Sequence, residues 1–389
     1  MIILDKPFVS DFLLNTAIET QIPVLDTPFV RAIPGSEKMN LLEADDFFRR
    51  LESDPTAKIY SNSEDSAAWI YKYMPDSTLA ENIKRVKDKF RMREIFASLN
   101  PEFYFQKCSF QELEKLDVSA IPKPFIVKPV RGIASIGIRA VFSDDQWPDI
   151  LNQIRKDRID YGTAFSDTVV DLNSFLLEGY IDGQEIAVDA YFDNNGDAVV
   201  VNILKHDFAS LEDNSDRLYY TSFSIIKEYL PRVEKYLGSV ANALKIRNFP
   251  MHMEMRITPN GEFIPIEINP MRFAGFCTTD MASYAFGINP YRVYLDGQKP
   301  NWNKIFSSKE EEIYSMGVVD IPRHMDKNKV YFDYDALAGK LENILEIRKM
   351  NYKIFPMAAF IFAATKPENS AELHRWLHDD MKNVIIPQS

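Results

Sequence analysis

The stretch Phe249–Gly275, FPMHMEMRITPNGEFIPIEINPMRFAG, narrows what this chain can fold into more than any other. Met251, Met253, Met255 and Ile257 alternate with His252, Glu254 and Arg256, the two-residue period of a half-buried strand. Thr258-Pro259-Asn260-Gly261 is turn chemistry, since Pro presets φ and Asn-Gly accepts positive φ. The return strand puts Ile264, Ile266 and Ile268 on one face and Pro265, Glu267 and Asn269 on the other. A two-residue turn sets Glu254 opposite Glu267 and His252 opposite Asn269. A four-residue loop sets Glu254 opposite Pro265, with Glu267 as its diagonal neighbour, and a three-residue loop with a bulge splays the pair. The register stays open, because Pro259 lacks the N–H that the tightest turn uses.

In either even register two carboxylates share one face, with directly opposed Cβ atoms about 5 Å apart. Like charges so placed repel unless a cation lies between them. Glu254, Glu267 and Asn269 offer oxygen ligands, and a hard cation such as Mg²⁺ takes a few carboxylates together with substrate phosphates. A solvated polar face is the bland alternative.

The 389 residues suffice for two or three packed units, and the 46% hydrophobic content excludes a disordered chain. A net charge of −12 argues against general affinity for nucleic acid or anionic membrane. Cys108 and Cys277 have no metal-like spacing, which predicts free thiols in a reducing compartment. The N-terminus has no signal-peptide pattern and Phe355–Ala364 is too short to span a bilayer, so a cytoplasmic location is expected.

Along the chain, residues 1–80 alternate short strands and helices, a small α/β unit with a parallel sheet and nothing that looks catalytic. Residues 81–99 read as one helix carrying Lys84, Arg85, Lys87, Lys89, Arg91 and Arg93, mostly solvated. In Phe125–Ser143, an apolar strand with Lys128 leads into a loop of small residues, Gly132, Ala134, Ser135 and Gly137, and then a second strand. Such a loop lets backbone N–H groups approach an anion. It is neither a Walker A loop nor a dinucleotide fingerprint. Residues 175–206 read as an antiparallel meander turning at Asp182-Gly183 and Asn195-Gly196. A helix is expected around Pro231–Lys245, and residues 311–389 add strand, helix (Tyr334–Lys349), strand (Phe355–Ala364) and helix (Ser370–Asn383). His374 and His378 are an i,i+4 pair with no visible third metal ligand.

Three motifs in order resemble the ATP-grasp superfamily over roughly residues 1–300: Lys128-Pro129…Gly132…Ser135…Gly137, then Glu178…Tyr180…Gly183…Glu185, then Glu254…Glu267…Asn269-Pro270. The resemblance implies an α/β (α+β) chain with an N-terminal α/β domain and basic linker helix (1–99), a lid subdomain (100–177), a nucleotide- and metal-binding subdomain with a larger antiparallel sheet (178–305) and a C-terminal α/β extension (306–389). By the same resemblance Lys128 and Lys89 reach the phosphates of ATP, and residues 131–137 close over them. Glu178 and the backbone near Tyr180 and Ile181 form the adenine hinge, and Glu185 accepts from ribose hydroxyls. Glu254, Glu267 and Asn269 hold Mg²⁺, or Mn²⁺ in its place, and Arg272 contacts the reacting groups. The family has Asn-x-Arg where this chain has Asn269-Pro270-Met271-Arg272, so Arg272 comes one residue late and points off the active face unless a bulge corrects it.

The activity so implied is ATP-dependent ligation of a small carboxylate to an amine through an acyl phosphate. Phosphoryl transfer needs charge neutralisation and alignment more than a protein nucleophile. The competing readings are a nucleotide-binding regulatory protein that has lost catalysis, kept open by the displaced Arg272, and an enzyme of the same kind with a non-amine acceptor. Neither nucleic acid nor membrane is expected as a partner.

Overall fold

A computed structural model of the chain describes residues 1–132, 137–161, 171–210, 213, 215–307, 310–322 and 325–387. Ser135 and most of the small-residue loop lie outside these, as does His324.

The N-terminal unit is built on the four-stranded parallel sheet expected there, in the order 41–42, 24–25, 2–3, 60–61. Its helix Asp11–Thr20 is capped by Ser10, whose side chain accepts from the Leu13 N–H. The basic segment is two helices, Thr78–Lys87 and Lys89–Phe96, not one. Asp88 breaks it because its extended backbone and side chain cap the second helix, accepting from the N–H groups of Phe90 and Arg91. Lys89 and Arg93 are buried, not solvated.

A small antiparallel sheet follows, in the order 105–109, 174–179, 125–129, 139–141. Phe125, Val127, Phe175 and Leu177 point to one face and pack on Trp147, Ile150 and Ile154 of the helix Trp147–Tyr161. Glu178 belongs to this sheet, in the strand Ser174–Gly179, so the small unit runs past residue 177.

The main sheet has eight strands, in the order 263–270, 249–257, 184–192, 198–206, 218–221, 313–320, 357–365, 344–349, and its neighbours pair antiparallel. The segment 306–389 thus contributes three strands to the same sheet that carries the hairpin. Residues 344–349, read above as helix, form the edge strand; pairing with 357–365 overrides their helical composition. The last helix stops at Leu377, followed by a strand at Ile385–Pro387. The long helix Phe223–Leu244 starts eight residues before Pro231, capped by Ser222, and buries Ile226, Val233, Leu237, Val240 and Leu244. Both cysteines are free and buried. No helix among the described residues is long and apolar enough to cross a membrane.

Candidate active site

The hairpin forms with neither even-length loop. Ile257 pairs with Phe263, leaving five residues in the turn, and Met255 pairs with Pro265. Continued, this register would miss Glu267. A bulge at Ile266 takes up the extra residue, so Glu254 faces Glu267 and His252 faces Asn269. The odd loop does not splay the pair. The bulge also turns Ile266 into the cleft, where it lines the wall with Glu267 and Asn269.

That cleft, about 790 Å³, runs between the small sheet, the hairpin and the N-terminal unit. It is lined by Lys89, Lys128, Gly132, Glu178, Tyr180, Ile181, Glu185, Glu254, Glu267 and Asn269, with Glu64, Lys87, His206 and Arg256 beside them. The structure therefore brings together the described residues singled out from the sequence except Arg272 and Gly137. Gly137 does not line the cleft but packs on Pro129; at its φ of 75° a Cβ would lie 2.9 Å from Pro129 Cγ.

On one wall Lys128 Nζ meets Glu178 Oε1 at 2.6 Å, and Arg93 Nε donates to Glu178 Oε2 at 2.7 Å. Burial alone would raise the Glu178 carboxyl, but Arg93 and Lys128 hold it down at about 2. Burial lowers the Lys128 ammonium, against the pull of Glu178. The adjoining hinge spends the N–H of Gly179 on the Tyr104 carbonyl and that of Tyr180 on the Pro124 carbonyl. The Ile181 N–H donates to no backbone carbonyl among the described residues. Gly183 carries the chain onward at φ 125°, where a Cβ would lie 2.0 Å from the Ile257 carbonyl oxygen; the turn needs glycine. Beyond it Glu185 is bound at both oxygens, by His206 Nδ1 at 2.9 Å and Arg256 Nε at 3.1 Å. The Tyr219 ring stacks on His206, their centroids 4.2 Å apart.

On the other wall Lys89 Nζ lies 2.9 Å from Glu267 Oε2, and Asn269 Nδ2 donates to Glu267 Oε1 at 3.2 Å. Burial opposes ionisation of Glu267, but Lys89 lowers its carboxyl below the usual range. Burial and the charge of Glu267 raise the carboxyl of Glu254. Behind Glu254, His252 bridges to Asp189, its Nδ1 2.8 Å from Asp189 Oδ1. Burial would lower this imidazole, yet bonds to Asp189 and Glu254 raise it to about 9.

Two half-buried carboxylates and an amide oxygen form a donor set that a hard cation fits, because the cation would offset both the burial and the repulsion by Glu267 that keep Glu254 high. Among the described residues no group of three His, Cys, Asp or Glu side chains is assembled for a metal. His374 and His378 are exposed and gain no third ligand among the described residues.

Residues 121–280 match the family model described as an ATP-grasp domain. The chain has the ATP-grasp fold. Its full length superposes on an L-amino acid ligase from Bacillus licheniformis, with a TM-score of 0.67 at 16% identity, covering 98% of that chain. It likewise covers 97% of a carboxyaminoimidazole ribonucleotide synthase from Aspergillus clavatus complexed with ATP, with 97% of this chain aligned at TM-score 0.63 and 13% identity. A D-alanine–D-alanine ligase of Anaplasma marginale (strain Florida) is 31% identical over 100 residues, a quarter of each chain.

Within this ATP-grasp fold the late arginine lies after the strand, not inside it, and does not line the cleft. The strand ends at Pro270, Met271 takes a left-handed φ of 64°, and Arg272 Nη2 then reaches Glu64 Oε1 at 2.8 Å. Glu64, Arg93, Asp189, His206 and Arg256 were not singled out from the sequence as site residues. Arg93 was findable, because it lies one helical turn after Lys89. Glu64 gave no signal, as its partner Arg272 is 208 residues away.

Proposed function

We propose that this chain is an ATP-dependent ligase that activates a small carboxylate as an acyl phosphate and passes it to an amine, releasing ADP and phosphate. One observation carries the reading: Lys128 and Lys89 line the same cleft as the opposed carboxylates Glu254 and Glu267. A cationic wall facing an anionic one suits a nucleotide triphosphate with its divalent cation. The relatives named as ligases and the structural neighbour titled as an ATP complex support it.

In this reading Glu254, Glu267 and Asn269 would hold Mg²⁺, which when bound neutralises phosphate oxygens and aligns them for transfer. Lys128 exchanges Glu178 for a phosphate oxygen, while Arg93 keeps the vacated carboxylate paired. Lys89 sits between Glu267 and the nucleotide. The Ile181 N–H would face the base, and Glu185 would accept from the ribose while His206 and Arg256 fix its orientation. Arg272 offers its guanidinium to the carboxylate that is to be phosphorylated.

Arg272, which kept the regulatory reading open, pairs with Glu64 of the cleft wall without itself lining the cleft. The test is ADP release from ATP and Mg²⁺ with amino acids and small acids, singly and in pairs, followed by mass analysis of the product. An amide product is expected. A melting shift with ATP but no ADP from any pair would leave a binding protein; ADP without an amide would move the acceptor to water or thiol.

A further inference from the structure

We propose that Glu64, from the N-terminal unit, is a positioning residue that sets Arg272 and Lys87 for the carboxylate substrate; this rests on the ligase reading above. Glu64 follows the edge strand Tyr60–Ser61 of the parallel sheet. Its Oε1 accepts from Arg272 Nη2 at 2.8 Å and its Oε2 from Lys87 Nζ at 2.9 Å. Each oxygen serves one cation, so neither cation is free to collapse onto Glu254 or Glu267 across the cleft. Burial alone would raise this carboxyl, but Lys87 and Arg272 hold it well below the usual range and keep it ionised. Two cations on one carboxylate leave a surplus positive charge beside a cleft that Glu64 and Lys87 line. The ligand chemistry this suits is a single carboxylate.

The need for such a partner follows from the path of the chain. Arg272 lies outside the strand, after a left-handed Met271 whose carbonyl accepts the Ser61 N–H at 2.8 Å. A non-glycine residue in that conformation costs about 1 kcal/mol, so the surroundings must hold it there. The N-terminal unit does this twice, through Ser61 for the backbone and Glu64 for the side chain. The other fork nitrogen, Arg272 Nη1, donates among the described residues to the carbonyl of its neighbour Phe273, at 3.0 Å. Among the described residues Glu64 is the one side chain that pairs with Arg272. Without it the guanidinium would keep its charge and lose its direction, and a reacting group must be held to a fraction of an ångström before substrate arrives.

The test uses the full chain and a carboxylate–amine pair with which the wild type releases ADP. Glu64→Gln keeps the shape and removes the charge. We expect kcat to fall about tenfold to a hundredfold, as for other partners that orient a functional group, while ATP with Mg²⁺ still raises the melting temperature. Added to Arg272→Lys, which cannot bridge Glu64 and the Phe273 carbonyl together, Glu64→Gln should cost little more, because one group acts through the other. Glu64→Asp, which keeps the charge on a shorter arm, should recover part of the loss. Wild-type kcat and KM in Glu64→Gln, or losses that multiply in full with Arg272→Lys, overturn the inference and leave the ligase reading intact. Should Glu64→Gln not fold, Glu64→Asp decides: a kcat loss absent from the Arg272→Lys background supports the inference, and full activity overturns it. A wild type that releases no ADP with any pair overturns both.

Discussion

Two ion clusters border the same cleft and differ in their balance of charge. Lys128, Arg93 and Glu178 sum to one positive charge, with side chains only 4, 3 and 4% exposed. At the hairpin, Lys89 and His252 stand against three carboxyl groups, Glu254, Glu267 and Asp189. In the first cluster each oxygen of Glu178 has a cation, which leaves one positive charge in excess. In the second the carboxyl groups outnumber the cations, and Glu254 resists ionisation. One wall thus has charge to lend to an anion, and the other has a vacancy for a cation.

The sharpest way to break this contrast is Glu267→Gln. ADP formation should fall by orders of magnitude, because the phosphates lose their charge neutralisation. Stability without metal should fall, because buried Lys89 loses its partner, and this outweighs the relieved repulsion with Glu254. ADP release near the wild-type rate would end the metal-site reading. Next, Arg93→Met strikes the first cluster and leaves Glu178 short of a partner. Urea unfolding should show a loss of about 3 kcal/mol; an equal loss in Glu254→Gln would erase the distinction between the clusters. Third, the melting shift caused by ATP and Mg²⁺, worth about 2.7 kcal/mol at a hundredfold excess over Kd, should largely vanish in Lys128→Ala. A full shift in that variant would remove Lys128 from the nucleotide site. The smallest effect is on acid stability. Glu178 titrates at about 2 in the fold, below an unfolded value of about 4.3. Its stabilisation is complete above the unfolded value and disappears as pH falls through the folded one. The urea midpoint should therefore drop less between these values in Glu178→Gln than in the wild type, and parallel curves would contradict the ion-pair assignment.

What the sequence made legible was local. Alternating methionines and the Pro-Asn-Gly turn identified the hairpin, because side-chain period and turn chemistry act over a few residues. The Glu254–Glu267 pairing came out as the two-residue turn implied, but by a longer loop and a bulge at Ile266 that cancel. No local rule reveals such a cancellation. Residues 344–349 were misread as helix because their strand exists only through its neighbour at 357–365. Glu64 stayed hidden for the same reason: its meaning comes from Lys87 and Arg272, which the fold alone brings to it.

The close approach at Gly183 has a consequence for descent. The turn leading out of the hinge lies against the end of the strand that bears Glu254, and any side chain at 183 would drive them apart. The part suited to grip a base and the part suited to grip a metal therefore share one boundary with no slack. Substitutions that shift either backbone are felt by the other, so the two cannot diversify separately. New specificities in such a lineage would have to arise elsewhere, on the loop after Asn269 and the N-terminal unit that meets it, where a partner can be exchanged without disturbing that joint.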